Sequence, residues 1–221
     1  MSLKLKCCGF KDLDGVRKLQ GQAVDYVGFI LAPSKRQITV EQLAELTPHV
    51  PTGMKKVGVW VNPTFEEVVA AVQKAGLDAV QLHGHEPPSF CEQVKQACSV
   101  DLIKVFHVGE GRSTALPEAY GAVIDYALLD TYDPQLAGGT GKAFNWEQIG
   151  RYREWCDEHG VQLLVAGGIT AENVTDLLSH YAIDGVDLAS GVETDGKKDV
   201  VKIKTLAEKV KRYGNSSKRN R

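Results

Sequence analysis

Leu3-Lys4-Leu5-Lys6-Cys7-Cys8-Gly9 is a short apolar run closed by a glycine. It reads as a β-strand, in which successive side chains point to opposite faces. Lys6 and Cys8 therefore share one face, and Cys7 takes the other. Gly9 breaks the run, so Cys8 stands at the C-terminal end of the strand. A thiol beside a cationic Lys6 has two readings. It is a buried structural cysteine, the usual setting for this residue, or a thiol of lowered pKa that acts as base or nucleophile.

Seven further runs of the same kind follow: 26–31, 56–61, 79–83, 102–107, 126–130, 162–166 and 185–189. Runs such as Val27-Gly28-Phe29-Ile30-Leu31 are near-continuously apolar, as in strands buried on both faces. The segments between them carry the helical period of 3.6. Phe65, Val68, Val69 and Val72 line one face of the third; Val174, Leu177, Leu178 and Tyr181 do so in the seventh. Val200, Val201, Ile203, Leu206 and Val210 stripe the last. Thr64 with Glu67 forms a capping-box pattern, and Asn145 precedes a start at Trp146. Between strands five and six the glycines 109, 111 and 121 leave only a short turn over 116–120. Eight strands alternating with helices, without a composition break, predict an α/β fold: a single-domain, closed (β/α)8 TIM barrel over residues 1–210. The alternative is an open doubly wound sheet, but no Gly-x-Gly-x-x-Gly follows the first strand.

The composition suits one such domain: 221 residues, 43% hydrophobic and 24% charged. No apolar run reaches the ~18 residues of a membrane span, and the N-terminus lacks a signal-peptide core. Five cysteines without a CxxC pattern point to reduced thiols and a cytoplasmic protein. Net charge is −2, yet ten Lys or Arg against two acids lie from Lys197 onward. No basic face elsewhere and no stacking aromatic beyond Tyr213 accompany that end, so no nucleic-acid partner is expected. Residues 211–221 read as a polar, basic, disordered tail.

Several strand ends carry chemistry-bearing residues. Ala166-Gly167-Gly168 ends strand seven and Ser190-Gly191-Val192-Glu193 follows strand eight. In barrels the loops at these two positions form a recurrent phosphate site. Asp130 ends strand six, where a carboxyl serves either as general acid or as a loop tether. Gly138-Gly139-Thr140-Gly141-Lys142 is followed by Ala143, not Ser or Thr, so it is no P-loop; it reads as a lid. Arg36, after strand two, is either a solvated charge or a fork for a carboxylate. His83, His85 and Glu86 have no supporting ligand cluster elsewhere, so no metal is expected.

Together these motifs resemble the phosphoribosylanthranilate isomerases of tryptophan biosynthesis. The resemblance runs to about Leu206. It rests on Lys6-Cys7-Cys8-Gly9, Ser34-Lys35-Arg36, Gln81-Leu82-His83-Gly84, Leu129-Asp130, Gly138–Gly141, Ala166–Gly168 and Ser190–Glu193 followed by Gly196-Lys197-Lys198-Asp199. It implies an isomerase that needs no cofactor and acts on a small sugar phosphate, as a monomer or homodimer. Cys8 is then the general base and Asp130 the general acid. Arg36 holds the anthranilate carboxylate. Gly167, Gly168, Ser190 and Gly191 bind the phosphate, and Lys6, His83 and Gly141 belong to the substrate site. Cys7 departs from the family's usual aliphatic residue, and strand alternation selects Cys8 over it. Two other readings remain: a related aminoaldose isomerase of the histidine pathway, which uses two carboxylates and no thiol, and a non-catalytic phosphate-binding barrel.

Overall fold

The computed structural model describes residues 3–108, 117–131 and 146–216. Its frame is eight parallel strands: β1 (Lys4–Cys8), β2 (Tyr26–Ile30), β3 (Lys55–Trp60), β4 (Ala79–Leu82), β5 (Asp101–Val108), β6 (Tyr126–Thr131), β7 (Gln162–Val165) and β8 (Gly185–Leu188). They follow one another around a closed barrel, with β8 pairing back onto β1. The expected single-domain TIM barrel is the fold observed.

Helices fill the connections: α1 (Leu13–Arg17), α2 (Val40–Leu46), α3 (Phe65–Ala75), α4 (Pro88–Ala97), α5 (Ile149–His159), α6 (Val174–His180) and α7 (Val200–Ser216). Among the described residues the β5–β6 connection holds only a 3-10 turn at Glu118–Tyr120. The α3 capping box is made in both directions, from Glu67 N–H to Thr64 Oγ1 and from Thr64 N–H to Glu67 Oε2. Asn145 lies outside the described residues; α5 follows a 3-10 turn at Trp146–Gln148.

Two expectations need correction at the C-terminal end. The chain does not leave the fold at 210, because α7 continues to Ser216. Lys211 holds it to the body through Asp25 Oδ2 at 2.6 Å and the Leu3 carbonyl at 3.1 Å. Residues 217–221 lie outside the described part. The apolar stripe of α7 also starts later than the period suggests. Ile203, Leu206, Ala207 and Val210 are buried, whereas Val200 and Val201 are exposed. Asp199 Oδ1 caps the first turn, in which both valines stand, by accepting from the Val201 and Lys202 N–H groups.

Strand alternation divides the core in two. Leu5, Cys7, Val27, Phe29, Leu82 and Leu129 face the helices, in the larger cluster. Cys8, Tyr26, Val59, Val105, Leu128 and Leu164 face the barrel axis. Cys7 and Cys8 therefore sit in different cores, as the parity of the strand requires. All five cysteines are reduced and buried. At the N-terminal end of the barrel the Tyr26 and Tyr126 hydroxyls meet across the axis at 2.7 Å, and Tyr26 is 2% and Tyr126 6% exposed. A packed interior of this kind leaves the chemistry to the opposite, C-terminal face.

Candidate active site

At that face opens a cavity of about 360 Å³. Its lining includes Cys8 from β1, His83 after β4, Asp130 from β6 and the loops that follow β7 and β8. The strand positions explain the gathering: each of these side chains has inward parity at the C-terminal end of its strand. Of the residues expected at the site, Cys8, Arg36, His83, Asp130, Gly167, Gly168, Ser190 and Gly191 all line this cavity. Gly141, with the expected lid at 138–142, lies outside the described residues. Lys6 is the exception. It is fully buried in the barrel interior below the cavity, and its Nζ donates to Asp187 Oδ2 at 2.8 Å.

The Cys8 thiol is not activated in the way the neighbouring lysine suggests. Burial pushes its pKa up; Lys6 and Lys198 pull it down and Asp187 adds to the rise, with the balance above the ordinary thiol value. Of the two readings left open by the sequence, the lowered pKa is not the one favoured, because the desolvation of a side chain only 5% exposed outweighs the cations. Space for the sulfur depends on Gly28 of β2. A Cβ built there would lie 2.6 Å from Cys8 Sγ.

Asp130 Oδ2 lies 3.4 Å from His83 Nε2. His83 Nδ1 is 3.4 Å from Gln81 Nε2, and its ring stands 5.1 Å from that of His107. The strand end that carries His83 is held from the helix side. Lys104 Nζ donates to the Leu82 carbonyl at 3.3 Å, the Gly84 carbonyl at 2.8 Å and Glu86 Oε2 at 2.9 Å. Glu86 thus serves as a structural anion rather than a partner of His83 and His85.

Arg36 is already engaged. Its Nε and Nη2 donate to Glu193 Oε1 and Oε2 at 2.8 and 2.7 Å, a two-pronged grip from β2's loop to the segment after β8. Gly9 makes room for it: its φ is +82°, and a side chain there would run into Arg36 Cδ. Burial raises the Glu193 pKa, but hydrogen bonds from Arg36 and Lys198 outweigh it and hold the carboxyl at about 2. In the sequence Glu193 stands out only as part of a motif, and Asp187 and Gln81 do not stand out as site residues. Both of the latter line the cavity, and Asp187 Oδ1 and Gln81 Oε1 have no hydrogen-bond partner among the described residues. Their signal was available: a charge or amide of inward parity inside an apolar strand.

The glycine loops complete the cavity. Gly167 and Gly168 have φ of +83° and +63°, which only glycine adopts readily. Gly191 begins the close approach to the neighbouring loop, since a Cβ there would strike the Ile169 carbonyl oxygen.

A sequence model of N-(5'-phosphoribosyl)anthranilate isomerase matches residues 5–209. The chain belongs to the phosphoribosylanthranilate isomerase family. Its similarity to the enzyme of Brevibacillus brevis is 44% identity over 95% of this chain and 94% of the relative. The crystal structure of phosphoribosylanthranilate isomerase from Thermotoga maritima superposes with a TM-score of 0.81 at 33% identity, covering 95% of this chain and 98% of that one. A family structure solved with reduced 1-(o-carboxyphenylamino)-1-deoxyribulose 5-phosphate superposes at 0.78 and 30% identity, covering 95% and 98%. The phosphoribosylanthranilate isomerase assignment makes this chain an isomerase of tryptophan biosynthesis. No helix among the described residues is long and apolar enough to cross a membrane.

Proposed function

We propose that the chain converts N-(5-phosphoribosyl)anthranilate to 1-(2-carboxyphenylamino)-1-deoxyribulose 5-phosphate by an Amadori rearrangement, with Cys8 as general base and Asp130 as general acid. The observation that supports this most directly is the presence of both side chains on the lining of one cavity whose rim holds the two glycine loops. Asp130 protonates the furanose ring oxygen, and the ring opens to a Schiff base. The Cys8 thiolate takes the proton from C2′. Its electron pair forms the enolamine, with the substrate's own nitrogen as electron sink, and tautomerisation gives the ketose. The reaction therefore asks nothing of a metal or organic cofactor.

The binding roles follow the same cavity. Backbone around Gly167, Gly168, Ser190 and Gly191 cradles the phosphate. Arg36, which keeps further N–H donors beyond the two given to Glu193, meets the anthranilate carboxylate. His83 lies beside the acid, and the open acceptors Asp187 Oδ1 and Gln81 Oε1 suit sugar hydroxyls. Lys6 acts from below the cavity through Asp187 and Cys8.

The test is the pair Cys8→Ala and Asp130→Asn, followed by anthranilate fluorescence. Each variant is expected to lose about 10²–10⁴-fold in kcat while still binding the reduced product analogue. Turnover at the wild-type rate in either variant removes that residue from the proton transfers.

A further inference from the structure

Between β8 and α7 the chain takes a detour. A 3-10 turn at Ser190–Val192 leads into a two-stranded hairpin of β9 (Glu193–Thr194) and β10 (Lys197–Lys198), turned by Asp195 and Gly196 at φ of +50° and +72°. The register sets Lys198 opposite Glu193. The hairpin thereby returns a lysine to the end of the barrel, where it is only 6% exposed.

Lys198 Nζ donates to the Cys8 carbonyl at 2.6 Å, the Ala189 carbonyl at 3.2 Å and Glu193 Oε1 at 2.7 Å. Three acceptors call for three N–H donors, which the ammonium has and the neutral amine lacks. The same Nζ stands 5.1 Å from the centre of the Phe10 ring. Glu193 Oε1 also accepts from Arg36 Nε. One buried carboxylate therefore joins two cations.

We propose that Lys198 is a positioning residue for the isomerisation: its ammonium, pinned by Glu193 and the Ala189 carbonyl, fixes the main chain at Cys8 and sets a positive charge behind the Cys8 sulfur. The proposal rests on the reading of Cys8 as the base.

The charges around Cys8 support it. Lys6 comes from its own strand and Asp187 from β8; at 2.8 Å they compensate each other. Arg36 comes from the loop after β2 and Lys198 from β10, and the two share Glu193. The neighbour in β2 is Gly28, which has no charge. The surplus positive charge near the thiol thus belongs to the Arg36–Glu193–Lys198 group. Removing Lys198 abolishes it; removing the charge of Glu193 enlarges it.

These two changes give opposite signs, which a merely structural role does not. The experiment measures the pH dependence of Cys8 alkylation by iodoacetamide in the intact chain, read by peptide mass at Cys8, together with steady-state kinetics. Lys198→Met is expected to move the alkylation midpoint up by about one pH unit and to lower kcat more than it raises KM. Glu193→Gln is expected to move the midpoint down, and Lys198→Arg to keep it near the wild-type value. Midpoints that stay put, or that move the same way in the Met and Gln variants, overturn the proposal. If Lys198→Met does not fold, the direction of the Glu193→Gln shift decides alone. Alkylation does not require turnover, so an active Cys8→Ala enzyme would defeat the base assignment and leave this result standing.

Discussion

Lys6 Nζ and Asp187 Oδ2 meet at 2.8 Å across the seam where β1 and β8 close the barrel, and the two residues are register partners in that pairing. The seam thus carries an ion pair inside a core, two residues before Cys8 and on the same face. Taking two charges out of water is costly, and the cost is tolerable only while each keeps its partner.

Lys6→Met is therefore expected to cost about 3–5 kcal/mol in urea unfolding, because it strands the Asp187 charge. Lys6→Met with Asp187→Leu is expected to recover most of that stability while leaving the enzyme inactive. Asp187 and Cys8 raise the Lys6 pKa against the opposing effect of burial. The pair's stabilisation is then fully present below the ordinary lysine pKa of about 10.4 and is lost only as pH rises through the higher folded value. A single variant as stable as the wild type would show that the pair contributes little.

Glu193 supplies the acid-side counterpart. Its folded pKa of about 2 lies below the ordinary glutamate value. A depressed carboxylate adds stability that is present above the unfolded pKa, near 4.3, and disappears as pH falls through the folded pKa. Glu193→Gln is expected to lower unfolding free energy by roughly 3 kcal/mol at pH 7, and the two proteins' curves should converge between about pH 4.3 and 2. Parallel curves across that window would mean that Arg36 and Lys198 do not hold this carboxyl in solution.

The phosphate assignment is most exposed at Gly191. A Cβ there meets the Ile169 carbonyl oxygen, so Gly191→Ala pushes the loops after β7 and β8 apart. KM for the sugar phosphate is expected to rise at least tenfold, on the order of 1.4 kcal/mol of lost binding, with a smaller change in kcat. Competitive inhibition by inorganic phosphate should weaken in parallel. An unchanged KM together with unchanged phosphate inhibition would place the anion elsewhere.

The barrel was legible because its signals are local and periodic. Eight apolar runs and the helical stripes between them fix strand order, and the parity of Lys6, Cys7 and Cys8 alone separates the inner core from the outer one. Position at the ends of strands six and four likewise put Asp130 and His83 at the rim. What could not be read were contacts between distant parts of the chain and balances of opposing effects. Arg36 and Glu193 are 157 residues apart, and β9 and β10 are two residues each, too short for any period. Lys6 beside Cys8 suggested an activated thiol, but the outcome depends on burial, which a sequence does not weigh. Val200 and Val201 stand in the capped first turn of α7, which an apolar count does not separate from the buried stripe.

The tyrosine pair at the far end of the barrel has a kinetic meaning. Among the described residues Tyr26 and Tyr126 close the floor and side chains fill the axis above them, so the chamber opens at the C-terminal face. A ketose that leaves by the face through which the aldose arrives would bar its successor until it has gone, so added product is expected to inhibit competitively.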